Sequence, residues 1–281
     1  MPPLQLSSVA STLRAAGCVF AEDEAELILS TARTPEEAVG MVDRRVAGLP
    51  LEQVLGWAEF HGLRVTVAPG VFVPRRRTEF LVEQALALGR NASLVVDLCC
   101  GSGAVGAALA AGLRGPEVHA ADIDPAAVRC ARRNLAAYGG RVHEGDLFDA
   151  LPEDLRGRVD ILAANVPYVP TDQVALLPSE ARDHEPLVAL DGGPDGLDVL
   201  RRVTAEAPRW LAPGGLLLVE TSERQVALAV EAFGQGGLDV RLAVSAELYA
   251  NVLIGTRRQG SSQPRKSRTI ASKAPGSSLP G

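Results

Sequence analysis

SLVVDLCCGSG, Ser93 to Gly103, is the stretch on which the fold turns. Its first half is a short apolar run broken only by Asp97, the pattern of a strand buried on both faces. Glycines follow at Gly101, Gly103 and Gly106, and the Ala-rich sequence around and after Gly106 reads as a helix. A strand that turns through glycines into a helix opens a doubly wound α/β unit, and the glycines let backbone approach a ligand closely. The literal match to G-x-G-x-x-G suits either NAD or AdoMet, and by itself it is a weak signal.

The unit recurs along the chain. Val118 to Ala121 leads into Asp122-Ile-Asp124-Pro125 and a helix running to about Ala137. Arg141 to His143 reads as a short strand before Glu144-Gly145-Asp146-Leu147-Phe148. Val159 to Ala164 is a buried strand that ends at Asn165, and Leu216 to Glu220 is the next. Residues 238–243 and 250–255 form a closing pair. Seven strands alternating with helices predict a mostly parallel, Rossmann-like sheet with helices on both faces.

Ligands of such sheets bind beyond the carboxyl ends of the strands. Four polar strand-end residues fall there: Asp97, Asp122, Asp146 and Asn165, separated by 25, 24 and 19 residues. Asp122 is placed to accept hydrogen bonds from ribose hydroxyls of either cofactor. Asp97 discriminates between them. A carboxylate before the glycine loop repels a pyrophosphate but suits a cofactor carrying an ammonium and a sulfonium. Asp146, beside an apolar surface, offers an acceptor to an adenine amino group. The predicted cofactor is therefore S-adenosyl-L-methionine (AdoMet), and the candidate cofactor residues are Asp97, Cys99, Gly101, Gly103, Asp122, Ile123, Asp146, Leu147 and Asn165.

Asn165-Val166-Pro167-Tyr168 carries the acceptor chemistry. A primary amide nitrogen is a poor nucleophile because its lone pair is delocalised. If the Asn165 side-chain oxygen and a backbone carbonyl each accept one N–H, the nitrogen can rehybridise toward the methyl group. Both acceptors then stabilise the charge that develops on nitrogen. In-line positioning supplies much of the rest. Tyr168 can pack on the planar acceptor, so Asn165, Val166, Pro167 and Tyr168 are the candidate catalytic residues. The plain alternative is a strand exit whose Asn caps a turn.

Residues 1–49 read as a small domain of short helices, suited to substrate recognition. Within it, Thr34-Pro35-Glu36-Glu37 gives an N-cap, a Pro in the first turn and two acids, opening a helix through Val46. Residues 50–77 form a hairpin-like linker turning at Gly62 and Gly70, residues 78–256 the methyltransferase domain, and residues 257–281 a disordered basic tail. Six of the 28 basic residues lie in that tail, which has no acid; the rest of the chain carries 22 basic against 34 acidic residues. An acidic body is unsuited to gripping a long nucleic acid through its phosphates, which leaves the tail as the segment able to touch RNA. No run approaches the roughly 18 apolar residues of a membrane span. No secretory signal pattern opens the chain, so the expectation is a cytoplasmic protein without a membrane partner. Cys18, Cys99, Cys100 and Cys130 make no Cys-x-x-Cys pair, and the four histidines are scattered, so no metal is expected.

Pro50 to Gln225 resembles the HemK/PrmC family of protein-(glutamine-N5) methyltransferases. The resemblance runs through Pro50-Leu-Glu-Gln-Val-Leu-Gly56 with Phe60-His-Gly62, Val71-Phe-Val-Pro-Arg75 with Thr78-Glu79, Val95 to Gly103, Asn165 to Tyr168, Glu185-Pro186, and Ala189 to Gly196. It implies a class I AdoMet-dependent methyltransferase fold and a glutamine amide bound at the Asn165 motif. It further implies, as protein partner, a peptide-chain release factor methylated in its Gly-Gly-Gln loop. Four features depart from the family pattern. Val166 stands where the motif has its first proline, although Pro167 still holds residue 166 extended. Arg76 and Arg77 replace a proline and an acid, Glu220 lacks its following glycine, and the helical domain is short. These leave open a divergent paralogue with another protein substrate.

The competing reading is an adenine-N6 methyltransferase acting on RNA or DNA, because an exocyclic amine presents the same planar NH₂. A NAD-dependent oxidoreductase leaves Asn165 to Tyr168 unexplained. A methyltransferase-like module without activity is separated from these by an Asn165→Ala variant.

Overall fold

The computed structural model describes residues 5–258. It begins with three helices, α1 (Leu6–Ala15), α2 (Ala21–Thr31) and α3 (Pro35–Val46), and a short α4 (Leu51–Leu55). Leu13, Ile28 and Met41 pack together with Val54 and Leu55 of α4 in one apolar cluster. The start of α3 follows its sequence: the Thr34 hydroxyl accepts the Glu37 N–H at 3.1 Å, and Pro35 occupies the first turn. The five residues of α4 are too few to carry a periodic signal. It ends where Gly56 turns left-handed at φ +80.

An antiparallel hairpin follows, β1 (Trp57–Phe60) and β2 (Leu63–Thr66). It is more than a linker. Phe60 and Val65 are buried in the same cluster as the central sheet, and the Asn134 amide bonds both the N–H and the carbonyl of Thr66. Burial of its apolar face, more than the turn alone, fixes a hairpin that would be marginal by itself.

The remaining elements are α5 (Glu79–Leu88), β3 (Leu94–Leu98), α6 (Ala104–Gly112), β4 (Glu117–Asp122), α7 (Pro125–Leu135), β5 (Arg141–Glu144), β6 (Val159–Ala164), α8 (Ser179–His184), α9 (Asp198–Trp210), β7 (Leu211–Thr221), α10 (Val226–Gln235), β8 (Leu238–Ser245) and β9 (Ala250–Arg257). The sheet order is β5-β4-β3-β6-β7-β9-β8. The first five strands are parallel, and β9 runs antiparallel to both β7 and β8. The chain reverses its direction of travel between β3 and β6, which opens a crevice at their carboxyl ends. Two apolar clusters cover the sheet, one on each face.

Three sequence expectations need correction. β7 starts at Leu211, ahead of the expected Leu216, because Pro213-Gly214-Gly215 forms an irregularity inside the strand instead of preceding it. A Cβ on Gly215 would lie 2.6 Å from the Val159 carbonyl, so the close strand approach requires glycine. Arg257 and Arg258 belong to the folded body, since Arg257 ends β9 and bonds the Leu211 carbonyl while Arg258 pairs with Asp239. The rest of the expected tail lies outside the described residues. His119 and His143 are not scattered: neighbouring parallel strands stack their rings with centroids 5.1 Å apart. No helix among the described residues is long and apolar enough to cross a membrane.

Candidate functional site

The cofactor half of the crevice is built on the turn after β3. Cys99, Gly101 and Gly103 all have left-handed φ, at +53, +53 and +77. For Cys99 that conformation is strained, and such strain concentrates where backbone must meet a ligand. A Cβ on Gly103 would lie 3.0 Å from Ala131 of α7, so no side chain fits there. Gly106 donates its N–H to Asp97 Oδ2 at 2.8 Å, and a Cβ on it would crowd the same oxygen at 3.1 Å.

Asp97 is 1% exposed. Burial pushes its carboxyl up to about 7; the Gly106 bond opposes this and the Asp122 charge adds to it. Asp122, at the end of β4, accepts from Gly101 N–H at 2.8 Å and from Asp124 N–H at 2.9 Å. Burial raises it too, against the pull of those backbone bonds. Each of its oxygens keeps a further lone pair for a ligand hydroxyl. Beside it Ile123 is half exposed toward the cavity. A buried and a partly buried carboxyl, both reluctantly ionised, with one glycine cradle fit a cationic ligand better than a pyrophosphate.

The expected adenine acceptor has a partner that the sequence did not signal. Asp146 Oδ2 pairs with Arg202 of α9 at 2.6 Å. Its side chain makes no cap to the following turn. Leu147, next in sequence, is buried with a left-handed φ of +48 and lines the same cavity.

The acceptor half stands at the end of β6. Val166 and Pro167 are buried, and Asn165 lines the cavity. Asn165 Oδ1 is buried with no hydrogen-bond partner among the described residues. An acceptor left in that state costs about 1–3 kcal/mol, a cost that a bound donor removes. The surrounding backbone is held firmly. Gln225 donates to the carbonyls of Tyr168 (2.9 Å) and Asp195 (3.0 Å), and its own oxygen accepts from Ser222. Val169 bonds Leu190 and Gly192 through the main chain.

Tyr168 points its hydroxyl at Glu220 Oε1, 3.4 Å away, and receives a bond from Arg77. Glu220, 3% exposed, also takes Thr78 Oγ1 at 2.7 Å and Arg77 Nε at 2.8 Å. Burial pushes the Tyr168 phenol up to about 12, with the Glu220 charge adding and Arg77 opposing. It is a protonated packing and hydrogen-bonding group, not a base. Burial likewise lifts the Cys99 and Cys100 thiols, so neither is poised as a nucleophile.

One cavity of about 690 Å³ joins both halves. Asp97, Cys99, Gly101, Asp122, Ile123, Asp146, Leu147 and Asn165 to Tyr168 all line it. Gly103 does not; it sits beneath the turn, against α7. Arg202 and Gln225 were missed because each meets its partner across 56 or 57 residues of sequence. Glu220 was missed as well, although an acid at the end of the apolar run LLLVE carries the same signal that marked Asp97.

With this geometry established, comparison with known proteins identifies the relatives. The family described as "Methyltransferase small domain" matches residues 62–177. The release factor glutamine methyltransferase of Geobacter sulfurreducens is 40% identical over 208 residues, 72% of each chain. A 4-amino-L-phenylalanine/4-methylamino-L-phenylalanine methyltransferase of Streptomyces pristinaespiralis is 41% identical over 193 residues, 66% of this chain and 65% of that one. A solved methyltransferase from Pyrococcus furiosus shares the fold, with a TM-score of 0.54 at 18% identity over 70% of this chain and 90% of its own. A seven-stranded AdoMet-type sheet, a cradle suited to a cationic cofactor and identity of this extent lead to one assignment: the chain belongs to the release factor glutamine methyltransferase family of AdoMet-dependent enzymes.

Proposed function

We propose that this enzyme methylates the N5 amide nitrogen of a glutamine side chain in a peptide-chain release factor, within its Gly-Gly-Gln loop. The observation that carries the reading is the buried, unpartnered Asn165 Oδ1 at the end of β6. In this reading Asn165 Oδ1 accepts one amide N–H and the Val166 carbonyl the other. The amide nitrogen loses conjugation and turns its lone pair toward the cofactor side of the cavity. Both acceptors stabilise the charge that grows on nitrogen. AdoMet, when bound, supplies an electrophilic methyl group. Asp97 and Asp122 would hold its amino-acid and ribose ends, and Ile123, Leu147 and Asp146 its adenine. No residue need act as a strong base, since the methylated amide sheds its proton readily. Valine at 166 supports this as well as proline would, because only its carbonyl is used. The same reading puts the enzyme in the cytoplasm, where translation ends.

A second reading has its own support. An aniline nitrogen is also planar and weakly nucleophilic, and one relative at 41% identity bears the name of an arylamine methyltransferase. Arg77 lines the cavity with its side chain 45% exposed, a cation that a free amino-acid carboxylate could meet. The test is transfer of labelled methyl from AdoMet to three acceptors offered separately: a purified release factor, 4-amino-L-phenylalanine and total RNA. Protease-sensitive label that maps to the Gly-Gly-Gln loop is expected. Label on the arylamine alone, or label lost to nuclease, overturns the proposal.

A further inference from the structure

The wall of the acceptor half includes α8 and its flanks, since Pro178, Glu180, Ala181 and Glu185 line the cavity. None of the six residues of α8 is buried. A helix without an apolar anchor is not fixed by packing, so its position depends on polar ties. Two of those ties lead to the N-terminal helices, and a third joins the buried Glu185, just after α8, to Arg75 and the Val73 N–H. Arg45 of α3 has a side chain only 8% exposed and forms a fork with Glu24 of α2, Nε to Oε2 at 2.6 Å and Nη2 to Oε1 at 3.1 Å. Its remaining nitrogen, Nη1, donates to the Leu49 carbonyl at 3.0 Å and forms an ion pair with Glu180 Oε1 at 2.7 Å. A second tie runs from the Gln53 amide to the His184 carbonyl at 3.4 Å.

Arg45 is thus a buried cation whose fork is filled within the helical domain, with one donor left to reach out of it. A guanidinium held by a bidentate carboxylate has little freedom, so the direction of Nη1 is set by α2 and α3. We propose that Arg45 and Glu180 are a positioning pair through which the N-terminal helices set the acceptor-side wall of the cavity. The proposal rests on the function assigned above only for its choice of acceptor. It makes the helical domain a structural part of the acceptor site and goes beyond a role in docking a protein from outside. A loosened wall weakens acceptor binding; it touches neither the cofactor cradle nor Asn165.

The test uses three variants of the full chain. Glu180→Ala removes the tie, and Glu180→Gln keeps an oxygen for Arg45 to bond. The double variant Glu24→Gln/Arg45→Met removes the cation without leaving the buried Glu24 charge unpaired, which keeps the fold intact. With purified release factor as acceptor, Glu180→Ala and the double variant should each raise KM about tenfold, with kcat and the AdoMet Kd within about twofold, while Glu180→Gln stays near wild type. A raised KM in Glu180→Ala alone overturns the pair, because Glu180 would then meet the acceptor directly. Unchanged KM in all three also overturns it. Should wild type fail to methylate a release factor, the substrate assignment falls, and the pair is judged by amide hydrogen exchange. Exchange in residues 177–187 of the free enzyme should rise in Glu180→Ala and the double variant but not in Glu180→Gln. Equal exchange in all three and wild type contradicts it.

Discussion

Thr78 donates its hydroxyl to Glu220 at 2.7 Å across 142 residues of sequence, tying the loop before α5 to the end of β7. Arg77 completes the junction from the other side, and Tyr168 lies against it at 3.4 Å. The acceptor motif is therefore braced by two elements remote from it in the chain, and its aromatic ring is positioned by a buried carboxylate.

Replacing that carboxylate should disturb the acceptor half alone. Arg77 is 45% exposed, so its coupling to Glu220 has the strength of a near-surface pair, about 1 kcal/mol. Glu220→Gln is expected to lower kcat/KM about fivefold to tenfold with unchanged AdoMet Kd. Tyr168→Phe should keep the pH profile of kcat, because a phenol pushed up to about 12 does not titrate in the working range. A profile that shifts on Tyr168→Phe would show the hydroxyl taking part in proton transfer.

Asp97 makes a pH-dependent contribution of definite sign. Its folded-state value is raised from 3.8 to about 7, so the fold prefers the protonated form. That preference contributes stability which is fully present below about pH 4 and is lost as pH rises through about 7. The melting temperature of Asp97→Asn minus that of wild type, both without cofactor, should therefore increase between pH 4 and 7. An ammonium bound beside Asp97 requires the ionised form. AdoMet affinity should then weaken about tenfold per pH unit below 7 in wild type. Calorimetry of wild type and Asp97→Asn checks this, and a pH-independent Kd in wild type contradicts it.

Gln225 is 7% exposed and supplies the donors for the Tyr168 and Asp195 carbonyls. Gln225→Ala leaves those carbonyls without their partner, at about 1–3 kcal/mol for each that stays unsatisfied. Denaturant unfolding should show a loss in that range, and kcat should fall at least tenfold with the AdoMet Kd nearly constant. A stable, fully active variant would mean that the motif is held without it.

The sheet was legible because buried parallel strands are nearly continuous apolar runs, and each ends in a polar residue where the crevice begins. Asp97, Asp122, Asp146 and Asn165 were found in that way, and all four line one cavity. What stayed hidden has a common cause. Arg202 reaching Asp146, Gln225 bracing Tyr168 and Arg45 reaching Glu180 are contacts between elements distant in sequence, made by residues whose local pattern is that of a solvated helix or a turn. The early start of β7 was missed because Pro213-Gly214-Gly215 is ordinary turn chemistry, and only the close approach of Val159 turns it into an irregular strand. The stacking of His119 on His143 depends on the register of β4 against β5, and 24 residues separate the two in the chain.

The Asn165 oxygen is the group on which methyl transfer turns, and Asn165→Ala tests its role most directly. The measurement is single-turnover methyl transfer to the acceptor, with AdoMet affinity determined on the same preparation. Removing a preorganised acceptor for charge that develops in the transition state costs roughly 10²–10³ in rate. The expected result is a single-turnover rate constant lower by about that factor with the AdoMet Kd within about twofold. Retained transfer, or lost AdoMet binding, would contradict the role assigned to Asn165.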